Sequence, residues 1–131
     1  SRSHAGVLRG IHYQVVRPQG KLVRVASGCV LDVAVDLRRS SERFGQWVAV
    51  ELSAANCRQL WIPPGFGHAF LARSESAVFL YKTTDYWYPA HERTLLWNDP
   101  ALRIDWPAGP APTLAAKDAA GLPLAKADTF A

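Results

Sequence analysis

The sequence lacks long apolar runs and has little cysteine, and each shortage excludes a class of protein. No run approaches the roughly 18 apolar residues of a membrane-spanning helix, so we predict no membrane partner. The first residues are polar with no apolar stretch behind them, so no secretory signal is predicted. The two cysteines, Cys29 and Cys57, are too few for a disulfide scaffold or a four-cysteine zinc site. We expect Cys29, which stands in an apolar run, to be a small buried core residue.

Charge is scattered rather than clustered. The chain of 131 residues carries 15 Lys and Arg against 11 Asp and Glu, a formal net charge of +4. A basic balance favours anionic ligands. The basic residues stand singly along the chain apart from Arg38, Arg39 and Arg43, and no nucleic-acid-binding motif is present. We therefore predict no nucleic-acid partner.

Several signatures of catalysis are also missing. The chain has no Gly-x-Ser-x-Gly elbow, no phosphate loop and no dinucleotide fingerprint. The four histidines, His4, His12, His68 and His91, show neither His-x-His nor His-x-x-x-His spacing. A metal site would need ligands from distant single residues, so we predict no metal and no cofactor. Acid–base chemistry or plain binding remains.

Short β-type runs with turn residues between them are present along the chain. The predicted strands cover residues 22–25, 29–37, 47–52, 59–62, 70–72 and 77–82. Strands that recur about every ten residues predict a β-sandwich or barrel. The best helix candidate is a turn or two around residues 117–120. We expect the Ala- and Pro-rich tail from Pro107 onward to wrap the surface.

One predicted strand shows clear alternation. The even-numbered residues from Val30 to Asp36, including Asp32, share one face, and the odd-numbered residues share the other. We expect one face to meet a core and the other to meet a cavity or solvent.

The run of residues 6–14 is the most informative for function. It places the cation of Arg9, the imidazole of His12 and the amide of Gln14 in one strand-like segment. Strict alternation puts Arg9 and His12 on opposite faces of the strand. The two side chains could not then reach the same cavity. A bulge at Gly10 would reset the alternation. Alternatively, Arg9 serves a neighbouring subunit's site or lies at the cavity rim.

Nine sequence blocks, in this order over roughly residues 5 to 121, resemble the dTDP-4-dehydrorhamnose 3,5-epimerase family. They are LRGIHYQ (8–14), QGKLVR (19–24), DVAVDLR (32–38), FGQW (44–47), RQLWIP (58–63), GFGHAF (65–70), LYK (80–82), WNDP (97–100) and KDA (117–119). The resemblance implies an all-β, cupin-type jelly-roll β-barrel with short terminal helical turns. It also implies a cytoplasmic homodimer that acts without metal. The implied reaction inverts carbons 3 and 5 of dTDP-4-keto-6-deoxy-glucose and gives dTDP-4-keto-L-rhamnose.

The resemblance also implies a role for each matching residue. The catalytic set comprises His12 as base, Asp118 as its carboxylate partner, Lys21 beside the ketone oxygen and Tyr81 as the acid on the opposite face. The protons removed lie next to a ketone, so each abstraction forms an enolate that needs a base, a positive group and an acid. The implied substrate-binding residues are Arg9 on the diphosphate, together with Gln14, His68, Tyr86, Glu92 and Lys117.

Without the resemblance, each catalytic candidate has a structural interpretation. A lone strand histidine such as His12 is more often structural, and Asp118 reads as a cap on a short terminal helix. Lys21 reads as a lysine whose stem lies along apolar surface at a strand start. Tyr81 reads as an ordinary aromatic core residue, because a phenol with a pKa near 10 is a weak acid.

Three alternative functions stay open. A mono-epimerase acting at C3 or C5 only is one, because Trp87 stands where many family members carry a second tyrosine or another aromatic. A non-catalytic sugar-nucleotide binder and a metal-dependent cupin enzyme are the others. The first family block begins almost at residue 5, so we expect residues 1–131 to be a single cupin-like domain that lacks the family's N-terminal segment.

Overall fold

The computed structural model describes residues 1–131 and is almost entirely β-structure. The strands are β1 (Arg2–His4), β2 (Leu8–Gln14), β3 (Lys21–Ser27), β4 (Cys29–Asp36), β5 (Trp47–Ser53), β6 (Gln59–Ile62), β7 (Phe66–Ala72), β8 (Ser76–Thr83) and β9 (Glu92–Thr94). Helical structure is limited to α1 (Ala116–Ala119) and two 3-10 turns, Pro89–His91 and Leu124–Lys126. None of these helices has the length and apolarity needed to cross a membrane.

The strands form two antiparallel sheets. The four-stranded sheet has the order β1-β8-β3-β6, and the five-stranded sheet has the order β5-β4-β7-β2-β9. The strand pairs are nested along the chain. β3 pairs with β8, and β4 pairs with β7, which both lie between β3 and β8 in the sequence. This arrangement is a jelly roll, which confirms the predicted all-β fold.

The interior between the sheets is filled by inward-facing apolar side chains. Ten of them form one buried cluster: Val23, Val25, Val30, Ala34, Leu52, Ile62, Phe70, Ala72, Ala77 and Phe79. The rings of Phe70 and Phe79 stack with centroids 4.4 Å apart. The two rings come from opposite sheets and fill the interior below the open end of the jelly roll.

The outer face of the five-stranded sheet is buried as well. Val33 and Val35 belong to a second buried cluster, against which Ile104, Trp106 and Phe130 of the C-terminal segment pack. The tail therefore wraps the sheet as predicted. The expectation that one face of β4 meets a cavity or solvent was wrong, because the tail covers the face that the sheet alone would leave open.

Most predicted strands match the observed ones to within two residues. β7 begins at Phe66 rather than at Phe70, because Gly67 and His68 carry no β-propensity signal. The helix α1 begins at Ala116, one residue before the predicted 117–120 segment. Cys29 was expected to be buried but is partly exposed, since it lies at the end of β4 with its Sγ 3.0 Å from Glu51 Oε1.

A bulge at Gly10 settles the alternation problem in β2. Arg9 pairs with Phe70 and His12 pairs with His68, so β2 contains one residue more than β7 between these pairs. Gly10 has a φ of +126°, and a Cβ there would lie 2.5 Å from the His68 carbonyl oxygen. Only glycine fits this backbone, and the extra residue turns Arg9 and His12 to the same side.

Candidate active site

A cavity of about 470 Å³ opens between the two sheets at one end of the jelly roll. We call it the central cavity. Its lining residues are Ser1, Arg9, His12, Gln19, Lys21, His68, Phe70, Phe79, Tyr81, Thr83, Tyr86, Trp87, Glu92 and Lys117. Eight of the ten predicted site residues are in this set. The other two, Gln14 and Asp118, are buried and do not line the cavity.

His12 and Asp118 form a hydrogen-bonded pair in the wall that belongs to the five-stranded sheet. The His12 Nε2 atom lies 2.6 Å from Asp118 Oδ1, and the backbone N–H of Gly10 donates to Asp118 Oδ2 at 3.3 Å. The carboxylate is 1% exposed and comes from α1, which packs against β2. The bulge at Gly10 and the terminal helix together orient the imidazole.

The surroundings keep Asp118 ionised. Burial opposes ionisation, but the hydrogen bond from His12, the charge on an imidazolium there and the Gly10 N–H outweigh it and lower the pKa of Asp118. An ionised carboxylate only accepts, so His12 Nε2 carries the proton of the pair. The His12 Nδ1 atom is then the nitrogen with a lone pair. It faces Glu92, whose Oε1 is 3.9 Å away.

Lys21 and Tyr81 stand on the facing, four-stranded sheet. β3 and β8 pair so that Lys21 lies opposite Thr83 and Val23 lies opposite Tyr81. Alternation puts all four side chains on the inner face. Burial lowers the pKa of Lys21, and the negative charges of Glu92 and Asp32 oppose that shift. The Tyr81 side chain is 56% exposed, so the phenol borders the open part of the central cavity.

A second histidine–aspartate pair lies beside the first. His68 on β7 is the register partner of His12, and its Nε2 atom lies 2.6 Å from Asp32 Oδ1. Asp32 is fully buried, and its Oδ2 has no hydrogen-bond partner. The His68 ring stacks on Phe79 with centroids 5.7 Å apart. Sequence reasoning named His68 but missed Asp32, whose signal was a carboxylate on the face of β4 shared with Val30.

Cations and aromatics line the mouth of the central cavity. Arg9 and Lys117 border it, with Lys117 Nζ 3.5 Å from Glu92 Oε1. The indole N–H of Trp87 donates to Glu92 Oε2 at 3.0 Å. Glu92 therefore connects the aromatic ring of Trp87, the ammonium of Lys117 and the imidazole of His12. The cationic groups suit a phosphorylated ligand.

Gln14 does not border the central cavity, although it was predicted to bind substrate. It is 3% exposed, and its amide bonds to the backbone of residues 17, 86 and 88. Gln14 instead supports the loop that carries Tyr86 and Trp87.

The site residues show no metal-binding arrangement. No group of three or more His, Cys, Asp or Glu side chains is placed to hold a metal ion. The two imidazoles each bond to a carboxylate through Nε2. The chemistry that these groups offer by themselves is proton transfer next to a stabilised negative charge.

Comparison with known proteins gives the family. The sequence model of the dTDP-4-dehydrorhamnose 3,5-epimerase family matches residues 1–126. The chain belongs to the dTDP-4-dehydrorhamnose 3,5-epimerase family. A family member from Pseudomonas aeruginosa is 62% identical over 130 residues, which are 99% of this chain and 72% of that protein. The family's enzymes are isomerases.

Two solved structures from this family show the same fold. A dTDP-6-deoxy-D-glucose-3,5-epimerase from Legionella pneumophila, in complex with dTDP-4-keto-L-rhamnose, is 54% identical with a TM-score of 0.96, over 98% of this chain and 68% of that one. A 3'-monoepimerase from Streptomyces bikiniensis, in complex with dTDP-quinovose, is 36% identical with a TM-score of 0.91, over 95% of this chain and 64% of that one.

Proposed function

We propose that this chain epimerises carbons 3 and 5 of dTDP-4-keto-6-deoxy-glucose to give dTDP-4-keto-L-rhamnose. One observation carries the proposal. The central cavity has an imidazole–carboxylate pair, His12 and Asp118, on one sheet and an ammonium and a phenol, Lys21 and Tyr81, on the facing sheet. A base and an acid on opposite walls are what inversion at a carbon requires, since the proton leaves one face and returns to the other.

The first step is removal of a proton from the carbon beside the ketone. His12 Nδ1 takes the proton, because Nε2 already donates to Asp118. The imidazolium that forms is stabilised by the buried carboxylate of Asp118 and by Glu92, which lies 3.9 Å from Nδ1. The C–H electron pair moves into the sugar and forms an enolate with its charge on the C4 oxygen.

The enolate oxygen needs a positive partner. Lys21 supplies an ammonium from the inner face of β3. On the facing wall, His68 lies beside His12. Preorganised charge of this kind stabilises the enolate more in a cavity than in water. Burial lowers the pKa of Lys21, which makes its ammonium a stronger hydrogen-bond donor toward the oxygen.

The second step returns a proton from the other wall. Tyr81 donates its phenolic proton to the carbon on the face opposite His12, which leaves the carbon inverted and the ketone restored. The phenolate regains a proton from solvent, since the Tyr81 side chain is 56% exposed, and His12 releases the proton it took. Repeating the sequence at the second carbon completes the double inversion.

The diphosphate end of the substrate fits the cationic mouth. Arg9 offers a planar guanidinium for bidentate contact with phosphate oxygens, and Lys117 adds a second cation. Tyr86 and Trp87 offer ring faces for the base or sugar, with side chains 79% and 62% exposed. None of these steps calls on a metal or an organic cofactor.

We also propose a homodimer. The outer face of the four-stranded sheet exposes Leu22, Leu80 and Trp61, at 37%, 38% and 51% of their surface. They share this face with Lys82 and Arg24, their register neighbours, and large apolar side chains left exposed on a sheet face favour an interaction surface. Light scattering should give twice the chain mass, and Leu80→Lys should shift it toward the single-chain mass. A cytoplasmic location stays a prediction, which cell fractionation tests.

A mono-epimerase is the second candidate. Trp87 at the mouth of the central cavity changes the aromatic surface that orients the sugar, and the fold is shared with a protein named a 3'-monoepimerase. Inversion at one carbon uses the same base and acid. The two functions differ in how many carbons the bound sugar presents to His12.

The test is the stereochemistry of the product. Purified protein is incubated with dTDP-4-keto-6-deoxy-glucose, and the coupling constants of the ring protons are followed by NMR, with and without EDTA. The proposal predicts inversion at both carbons at the same rate in both conditions, and none with His12→Ala. Inversion at one carbon would favour the mono-epimerase. Dependence on added metal would favour a metal-dependent cupin, and binding without turnover would favour a non-catalytic binder.

A further inference from the structure

The aromatic loop, residues 85–88, is held from behind by one buried side chain. Gln14 donates from Nε2 to the carbonyl oxygens of Arg17 at 2.9 Å and Tyr86 at 3.1 Å. Its Oε1 accepts from the backbone N–H of Tyr88 at 2.8 Å. A side-chain amide has two N–H donors, and both are used here, so the group is committed to the loop rather than to a ligand.

Two further side chains, the exposed Arg17 and the partly buried Gln19, hold the same loop. Arg17 donates to Asp85 Oδ2 at 3.2 Å and to the Tyr88 hydroxyl, and its guanidinium lies 5.0 Å from the Tyr88 ring centroid. Gln19 donates from Nε2 to the Asp85 carbonyl at 2.8 Å. The Arg17 contacts are exposed and contribute little, because water competes for the same groups. Gln14 is only 3% exposed, so water cannot take over its three hydrogen bonds.

The bonds made by Gln14 flank Trp87 on both sides. The Tyr86 carbonyl precedes Trp87 and the Tyr88 N–H follows it, while the indole itself is tied to Glu92. A loop that carries two exposed rings loses conformational freedom when a ligand stacks on it. A loop already fixed before binding avoids that loss, and affinity rises accordingly.

We propose that Gln14 is a positioning residue that fixes residues 85–88, so that Tyr86 and Trp87 are ready to receive the base end of a nucleotide ligand. The inference rests on the proposed function for the identity of the nucleotide. It assigns Gln14 an indirect part in binding instead of the substrate contact that its sequence block predicted.

Two substitutions at Gln14 separate its hydrogen bonds. Gln14→Met keeps the length and removes all three bonds. Gln14→Glu keeps the acceptor for the Tyr88 N–H and removes the two donors. Gln46→Met, at an exposed glutamine with no side-chain hydrogen bond in the structure, is the matched control. Each variant is compared with the wild-type chain by amide hydrogen exchange of residues 84–88, by dTDP binding in calorimetry and by steady-state kinetics.

The expected result for Gln14→Met is about tenfold faster exchange of the Tyr88 amide and about tenfold weaker dTDP binding. KM should rise by a similar factor while kcat changes less than about twofold, a split that a general loss of stability would not give. Gln14→Glu places a buried carboxylate oxygen against the carbonyl oxygens of Arg17 and Tyr86, so it should release the loop and weaken dTDP binding at least as much. Gln46→Met should match wild type.

Two results would overturn the proposal. Weaker dTDP binding with unchanged exchange of residues 84–88 would mean that Gln14 touches the ligand directly. Faster exchange with unchanged dTDP binding would mean that the loop does not need to be fixed. Because exchange and dTDP binding are measured without turnover, a failure of the proposed epimerisation leaves both arms of this test readable.

Discussion

The hydrogen bond between Asp118 Oδ1 and His12 Nε2, 2.6 Å long, decides which imidazole nitrogen is available for chemistry. The interactions that lower the pKa of Asp118 keep it an acceptor, so the lone pair of His12 is on Nδ1. A mobile or wrongly protonated imidazole would present an N–H to the substrate carbon instead. Asp118 therefore has an orienting function as well as an electrostatic one.

Asp118→Asn tests that function. The amide is nearly isosteric but can donate to His12 Nε2, which favours the tautomer with the proton on Nδ1. We expect kcat to fall by about 10²-fold or more, because a general base contributes on the order of 10²–10⁴-fold. Steady-state kinetics measures the change, and thermal unfolding reports whether the variant is folded. A folded variant with kcat within about threefold of wild type would contradict the orientation argument.

Trp87→Phe tests the link between the mouth and Glu92. The change keeps an aromatic ring and removes the indole N–H that donates to Glu92 Oε2 at 3.0 Å. We expect KM to rise by about two- to threefold, because water competes for a hydrogen bond at this exposed site. Tyr86→Phe, which keeps its ring in place, is the matched control. A variant with wild-type KM would show that the Glu92 contact does not orient the ring.

The bulge in β2 brings two site residues, Arg9 and His12, to one side of the strand. Sequence alternation alone separated Arg9 from His12, and glycine at position 10 offered the way to join them. The sequence could not choose between a bulge and a rim position for Arg9, because the choice depends on the carbonyl of His68 on the neighbouring strand β7. Pairing across strands is not visible in one strand's pattern.

Gly10→Ala should disable the site by removing the bulge. The added Cβ would lie 2.5 Å from the His68 carbonyl oxygen and 2.6 Å from Ala69 Cβ, at a φ of +126°. We expect a loss of more than about 2 kcal/mol in the free energy of unfolding, together with loss of activity. Urea unfolding measures the first.

Gly109→Ala is the control for that substitution. Its φ of +146° is also positive, but a Cβ there meets no atom within 4 Å. The cost should be limited to backbone conformation, about 1–2 kcal/mol. Equal destabilisation by both substitutions would mean that contact with β7 does not matter at Gly10.

Part of the site follows from single blocks of sequence, and part follows only from packing. The blocks that contain His12, Lys21, Tyr81 and Asp118 predict residues that the fold brings to one cavity or directly behind its wall. The pairing of Asp32 with His68 and the supporting place of Gln14 could not be predicted, since both depend on which strand or loop lies next to them. A buried carboxylate becomes informative only when its histidine partner on β7 is known.

At the scale of the whole molecule, the C-terminal segment completes the fold. It covers the outer face of the five-stranded sheet, supplies Asp118 and ends beside the loop after β4, where Phe130 exchanges backbone hydrogen bonds with Leu37 and Arg39. Asp36 anchors that loop, because Arg38 and Ser41 both donate to its carboxylate. Loss of this anchor should therefore weaken the docking of the tail.

Asp36 makes stability depend on pH. Burial alone would raise its pKa, but hydrogen bonds from Arg38 and Ser41 outweigh burial and lower it to about 2. A depressed carboxyl pKa adds stability that is complete above the ordinary value and is lost as pH falls through about 2. We expect Asp36→Asn to be less stable by about 1–3 kcal/mol at pH 7, with the difference shrinking below pH 4. A difference that stays constant from pH 7 to pH 2, measured by urea unfolding, would refute this.

We propose that His12 removes a proton beside the ketone and that a proton returns from the other wall. Mass spectrometry of dTDP-4-keto-6-deoxy-glucose incubated with the protein in deuterated water tests it most directly, with His12→Ala and an enzyme-free sample as controls. We expect uptake of two deuteriums, at C3 and C5, that disappears in His12→Ala. Uptake that persists in a folded His12→Ala variant, or no uptake by wild-type protein that binds the substrate, would contradict it.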